Sequence, residues 1–199
     1  FSGDIMVEFN NGFDSGWGAG DKVIGTTANP LAKGNTTVHL NSDPGWAVGD
    51  IFLIDEAVNA TGDPVISNIA GEGTCTWCGR PGRNIGQWVK IVSKTPAGTS
   101  ITIDPPLYRS YSNSPRGVEM LGLTHYAGVE DLTLNNLRSN ATDTVGIQGA
   151  INSWLLRVQL IGSRRRAVWG YGGMWFTFQG CKIWGGVPVP ARPANSSGK

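Results

Sequence analysis

The chain has 199 residues, with 16 Lys or Arg against 15 Asp or Glu and a formal net charge of +1. Only 16% of its residues are charged, below the roughly 25% of ordinary globular domains, so it offers no broad electrostatic field to nucleic acid or to an anionic membrane. Its 40% hydrophobic content can fill a sizeable core, no apolar run approaches the ~20 residues of a membrane span, and 29 Gly with 11 Pro favour a turn-rich all-β chain.

The chain opens on Phe1 without a signal segment, and so reads as a processed or excised piece of something longer. Residues 1–120 are expected to form a β-rich region of hairpins. Val38–Leu40 and Asp50–Asp55 read as strands flanking the turn-rich Asn41-Ser-Asp-Pro-Gly45. Trp88–Val92 and Ser100–Asp104 alternate around Thr95-Pro-Ala-Gly-Thr99, a hairpin signal. Between the two pairs lies a loop over 56–86, longer than the ~12–15 residues of most structureless connections, and loops of that length often carry function. Its Trp77, Arg80 and Arg83 are residue types that would suit a binding face; equally, Trp77 and the nearby cysteines could simply pin the loop.

Three cysteines are present: Cys75 and Cys78 in that loop, and Cys181. A zinc site takes about four ligands, His39 and His125 are remote, and there is no second CxxC pair, so no metal is expected. A thioredoxin-like motif would sit at a helix start, whereas this pair sits among glycines, so redox catalysis is not expected either. A Cys75–Cys78 disulfide and free thiols both remain open, the disulfide being preferred in a secreted protein. No cofactor is expected.

From residue 121 onward one apolar pattern returns three times. Val129-Glu-Asp-Leu132-Thr-Leu134, Leu155-Leu-Arg-Val158-Gln-Leu160 and Phe178-Gln-Gly-Cys181-Lys-Ile183 start 26 and then 23 residues apart, with Val145-Gly-Ile147 and Ala167-Val168-Trp169 between them. A period of this size marks a supersecondary unit that must stack on its neighbours to bury its apolar side. A leucine-rich repeat would carry Asn or Cys three places after the last apolar residue, where Leu137, Ser163 and Gly186 stand. Two strand-like pieces per unit fit coils of a parallel β-helix, about 22–26 residues each, right-handed because parallel crossovers almost always are. An antiparallel sandwich with accidental periodicity is the alternative.

The break in alternation between the first and fourth apolar places predicts a bend holding Asp131, Arg157 and Gly180 in successive coils. Neighbouring coils are ~4.8 Å apart, which brings Asp131 against Arg157. The nine apolar positions are expected to be buried in columns, with Cys181 an inert inward thiol. The fold class is therefore an all-β right-handed parallel β-helix over 121–186, with an N-terminal β-rich cap over 1–120. Residues 187–199 read as a polyproline-type linker or truncated loop.

A family resemblance emerges from the order of several motifs. Gly45-Trp-Ala-Val-Gly-Asp50-Ile, Cys75-Thr-Trp-Cys-Gly-Arg80, Gly86-Gln-Trp-Val-Lys-Ile and Ile103-Asp-Pro-Pro-Leu-Tyr108 are followed by Ala127-Gly-Val-Glu-Asp-Leu-Thr-Leu134 and Asn152-Ser-Trp-Leu-Leu-Arg-Val158. Over roughly residues 35–186 the chain resembles the N-terminal half of bacterial secreted proteins of the pectate-lyase-like, right-handed parallel β-helix superfamily. The resemblance implies an extracellular protein that cleaves or binds polysaccharide in a groove along one parallel sheet, within a longer chain that carries further coils or domains. The superfamily's paired-aspartate, Gly-His-Gly and Asp-His signatures are missing, so no catalytic residue is carried over.

Chemistry alone gives little support for catalysis. Glycoside hydrolysis needs two carboxylates about 5–10 Å apart, but Glu130 and Asp131 are adjacent at a bend and Asp143 is alone. A lyase needs a cation and a base, and Arg164-Arg165-Arg166 is the only basic cluster, otherwise a solvated turn.

The aromatics form a better lead. Of eight Trp, four gather with a tyrosine near the C-terminal end: Trp154, Trp169, Tyr171, Trp175 and Trp184. Flat rings cover the apolar faces of sugars, so these five, with Arg165 for an acidic glycan, are the expected substrate-binding residues. Stacking inside the core is the other fate open to them. Three classes stay open: a glycan-binding β-helix protein, ranked first; a hydrolase or lyase fragment; and a structural or adhesive solenoid. The expected partner is a polysaccharide, not nucleic acid or membrane.

Overall fold

The structure is a computed structural model that describes residues 5–9, 11, 22–25, 29–57, 83, 85–137, 143–163 and 165–185. Its first strands are β1 (Ile5–Phe9), β2 (Lys22–Val23), β3 (Thr37–His39), β4 (Ile51–Glu56), β5 (Ile85–Lys94), β6 (Ser100–Asp104), β7 (Arg116–Glu119) and β8 (Thr124–His125). They are followed by β9 (Gly128–Glu130), β10 (Thr133–Asn135), β11 (Asp143–Ile151), β12 (Trp154–Leu156), β13 (Gln159–Ile161), β14 (Arg166–Met174), β15 (Thr177–Gln179) and β16 (Lys182–Trp184). No helix occurs among the described residues, and the chain is all β there. Two compact units result: Ser15–Leu121, and Phe1–Asp14 together with Gly122–Lys199.

In the Ser15–Leu121 unit a six-stranded antiparallel sheet runs in the order β2-β7-β4-β5-β6-β3. The expected hairpin of β5 and β6 is present, and its turn is tight because Gly98 has a φ of 68° and the Asp43 carboxylate occupies the space a Cβ would need. The other expected pair separates. β3 lies beside β6, and β4 lies between β5 and β7, so Asn41–Gly45 links strands that are not neighbours. The reason is closure. Ile24 bridges Leu40, and the Gly25 N–H donates to the His39 carbonyl at 2.8 Å, which joins the first strand of the sheet to the last. The ring of strands closes round Phe52, Ile54, Val89, Ile91 and Ile101, all fully buried, and it leaves few unpaired edges. Each such side chain contributes about 1.5–3 kcal/mol of burial.

Of the expected loop over 56–86, residues 58–82 and 84 lie outside the described residues, and with them Cys75, Trp77, Cys78 and Arg80. Arg83 is described and is committed to structure: Nε donates to Asp55 Oδ1 at 2.6 Å, and Nη2 donates to the carbonyls of Asp55 and Ser114. Asp55 is fully buried, and the guanidinium compensates its charge. Next to it, buried Glu56 accepts from the Ser112 and Asn113 amides and pairs with Arg109.

In the other unit the repeats stack in parallel at the predicted register. Val129, Leu155 and Phe178 stand side by side in the sheet β15-β12-β9, and Leu134, Leu160 and Ile183 do so in the sheet β10-β13-β16. A third ladder pairs β11 with β14, Val145 beside Val168. The other side of β11 is built from two pieces: β1 pairs with Asp143–Ile147, and β8 pairs with Ala150–Ile151. One row of this ladder is therefore assembled from distant segments, and Ser15–Leu121 is an insertion between them in the chain. Residues 1–14 accordingly group with the repeats, in contrast to the division expected at 120 and 121.

Burial follows position in the stack. Leu155, Val158 and Leu160 of the middle row are buried, and Val129, Leu134 and Cys181 are partly buried against them. Leu132, Phe178 and Ile183 are exposed, which corrects their expected burial. They belong to the outer rows, which have a stacking neighbour on one side only among the described residues. Cys181 is a free, half-buried thiol whose Sγ donates to the Leu155 carbonyl at 3.3 Å. Residues 187–199 lie outside the described residues.

Candidate functional site

Each row turns out of its first strand through one residue in the left-handed region: Asp131 at φ 52°, Arg157 at 53° and Gly180 at 64°. The amides at these bends donate along the stack, Asp131 N–H to the Leu156 carbonyl and Arg157 N–H to that of Gln179. As the spacing predicts, Arg157 meets Asp131: Nε and Nη2 donate to Oδ1 and Oδ2 at 2.5 and 2.6 Å. The Arg157 guanidinium holds the Asp131 carboxyl below the usual carboxylate range, first through those hydrogen bonds and then through its charge. Both side chains are exposed, so the pair fixes geometry more than it stabilises the fold. Arg157 Nη2 also reaches Glu130 Oε2 at 3.5 Å.

Glu130 links this pair to Trp154. The Trp154 Nε1–H donates to Glu130 Oε1 at 2.7 Å. Trp154 stands opposite Gly128 in the preceding row, and a Cβ placed on Gly128 would lie 2.1 Å from Cε2 and Nε1 of the indole. The ring therefore rests on bare backbone, one edge fixed by a carboxylate, while the residue is half-buried. Such a ring is oriented in advance, which lowers the ordering cost of any stacking ligand.

A second corner ladder runs beside this one. Tyr126, Asn152 and Trp175 have φ values of 53°, 50° and 53°, and their rows are held in register by Tyr126 N–H to the Ile151 carbonyl and Asn152 N–H to that of Met174. Tyr126 is 69% exposed and Trp175 41%. The sequence reading omitted Tyr126 and Asn152. The signal available was their offset: each stands three places before the first apolar residue of its repeat, as Trp175 does.

The remaining expected residues lie elsewhere. Trp169 and Tyr171 are in β14, opposite Gly146 and Gln148. Trp184 is in β16, opposite Ile161, and is 53% exposed. Four of the five aromatics are thus spread over three sheets, and Trp175 lies in the turn between β14 and β15. Within the basic run, Arg166 is committed to structure. Arg166 donates twice to the buried Asp143 carboxylate, at 2.8 and 2.6 Å, and its Cζ lies 5.0 Å from the centre of the Trp169 ring. Arg165 is exposed, and Arg164 lies outside the described residues. Glu130, Asp131 and Asp143 are all held by arginines, an arrangement suited to structure and orientation rather than to the acid–base exchange of a glycosidase. Among the described residues no group of three His, Cys, Asp or Glu could hold a metal ion.

No family model matches this chain, and no curated protein does. Among solved structures it is similar to the tailspike gp61 of Pseudomonas phage phi297, with 17% identity over 85% of this chain and 35% of that one, at a TM-score of 0.46. It is also similar to the Gp54 tailspike of Acinetobacter baumannii bacteriophage AP22, a structure in complex with A. baumannii capsular saccharide, with 11% identity over 81% of this chain and 33% of that one, at 0.47. The tailspike gp49 of Pseudomonas phage LKA1 follows, with 14% identity over 81% of this chain and 28% of that one, at 0.39. The chain spans about a third of the length of these tailspikes.

Proposed function

We propose that this chain is an extracellular polysaccharide-interacting protein of the right-handed parallel β-helix type, related to the pectate-lyase-like superfamily it resembles. It binds glycan on the outer side of the β15-β12-β9 sheet, with Trp154 as the central platform and Trp175 at its edge. Trp169 and Trp184 extend the aromatic surface onto the two other sheets, Tyr171 shares β14 with Trp169, and Arg165 adds a charge just before that strand.

The observation that carries this reading is the Trp154 ring, laid on the backbone of Gly128 and fixed through Nε1 to Glu130. A core Trp would be enclosed; this one is only half-buried and is preoriented, as a sugar-stacking ring should be. By analogy with aromatic pairs, each ring contributes about 0.5–1.5 kcal/mol beyond area burial. A few such contacts give roughly micromolar to millimolar affinity.

The test is a glycan array on the wild type and Trp154→Ala, run beside reducing-sugar and unsaturated-product assays on polygalacturonate, xylan and β-glucan. Binding by the wild type and its loss in Trp154→Ala are expected. No binding to any glycan, or equal binding by both proteins, overturns the reading. Release of product would move the chain from the binding class to the hydrolases or lyases.

A further inference from the structure

We propose that the corner column Tyr126–Asn152–Trp175 is a docking rail for an uncharged polysaccharide whose chain runs along the direction in which the rows stack. The inference rests on the glycan reading above and adds to it the charge class of the polymer, its direction and two contact residues, Tyr126 and Asn152.

Position comes first. The strands on either side of the column pair in register, Ile151 with His125 and Met174 on one side, Trp154 with Gly128 and Thr177 on the other. The three residues therefore occupy equivalent corners of successive rows, which places the Tyr126 and Trp175 backbones two spacings apart, about 9.6 Å. A polymer lying along this line meets one exposed ring, then an amide, then a second exposed ring. The Asn152 amide supplies both a donor and an acceptor for ring hydroxyls.

Residue choice is the second argument. A corner in the left-handed region is met most easily by Gly or Asn, and the stack uses them at Gly162, Gly180 and Asn152. Bulky aromatics are poorly suited to that conformation. At Tyr126 and Trp175, on the two outer rows among the described residues, the backbone therefore carries exposed rings at corners that Gly or Asn would occupy more easily. Local rules broken on both rows that flank Asn152, without a packing gain, mark a functional surface.

Charge is the third. On the β15-β12-β9 sheet and its bend the ionisable side chains are Glu130, Asp131 and Arg157. The guanidinium is already held by both Asp131 oxygens and approached by Glu130, which leaves an excess of negative charge. A polyuronate laid here would set its carboxylates against two others, and among the described residues of this sheet and its bend no free cation receives them. A neutral glycan meets no such penalty, and its binding releases no counterions.

Substitutions to Asn keep the left-handed corner and remove the ring, so Tyr126→Asn and Trp175→Asn should fold with unchanged or raised melting temperature. Calorimetry with xylan and β-glucan at low and high salt should show each variant binding about three- to tenfold more weakly than the wild type, with little salt dependence. Polygalacturonate should bind more weakly than either neutral polymer. Unchanged affinity in both Asn variants while Trp154→Ala abolishes binding overturns the rail and leaves the glycan reading standing. Absence of wild-type binding, or unchanged binding in all three variants, overturns both. Tighter, salt-sensitive binding of polygalacturonate overturns the charge class.

Discussion

Leu155 and Phe178 occupy the same position one row apart, yet Leu155 is 0% exposed and Phe178 51%. Truncating them separates what a stacked row contributes from what the apolar pattern alone would imply. Leu155→Ala removes a fully buried side chain and leaves a cavity between two rows, at a cost of about 2–5 kcal/mol. Phe178→Ala removes a ring that is already half in water. Complete burial of such a ring stabilises by about 1.5–3 kcal/mol, so half of that, about 1 kcal/mol, is lost, and no closed cavity forms. Leu160 at 2% and Ile183 at 64% form a second pair with the same expectation. Urea titrations followed by fluorescence should show a midpoint shift at constant slope at least twice as large for the middle-row variants. Amide exchange over 154–160 would assign the loss to this unit rather than to Ser15–Leu121. Equal losses at both rows would refute the claim that burial follows place in the stack.

Other outcomes follow from single contacts. Gly128→Ala places a methyl where the indole now lies, so it should evict Trp154 from Glu130 and raise acrylamide quenching of its fluorescence, at about 1–2 kcal/mol of stability for the lost charge-assisted hydrogen bond; unchanged quenching would contradict the packing. Asp131 has a depressed pKa in the folded protein, so the interaction is fully present above the unfolded value near 3.9 and fades as pH falls through the folded one. Carboxyl NMR should therefore find its midpoint below the usual range, and Arg157→Ala should return it upward. Arg83→Ala withdraws the cation beside buried Asp55 and should cost about 3–5 kcal/mol, whereas Arg165→Ala on the exposed turn should stay within about 0.5 kcal/mol by denaturant titration.

The repeats were legible because stacking demands apolar residues at fixed places, and Val129, Leu155 and Phe178 carry that demand on the surface of the sequence. The bend was legible for the same reason, through broken alternation, and the Arg157–Asp131 pair followed from row spacing. What the pattern does not encode is how many rows lie on each side, so Phe178 and Ile183 look identical in sequence to Leu155 and Leu160. The corner at Tyr126, Asn152 and Trp175 is a shared backbone conformation carried by three unlike side chains, and no composition signal joins them. Long-range pairing was hidden as well. Ile5–Phe9 is an ordinary short strand until it meets β11, and the partner of Val38 is set by closure through Ile24 and Leu40 rather than by the nearest turn. Of the site, Trp154 and Trp175 were legible as aromatics near the repeats, while the placing of Trp169, Tyr171 and Trp184 on two other sheets depended on how β14 and β16 pair. Arg83 and Arg166 read as available cations because their buried partners, Asp55 and Asp143, are distant in sequence.

The most direct measurement is a crystal structure of the protein with an oligosaccharide of its tightest-binding glycan. A sugar ring within about 4 Å of the Trp154 ring, its chain continuing past Asn152, is the predicted result. Sugar bound only to the Ser15–Leu121 unit, or only against Trp184, would contradict the account.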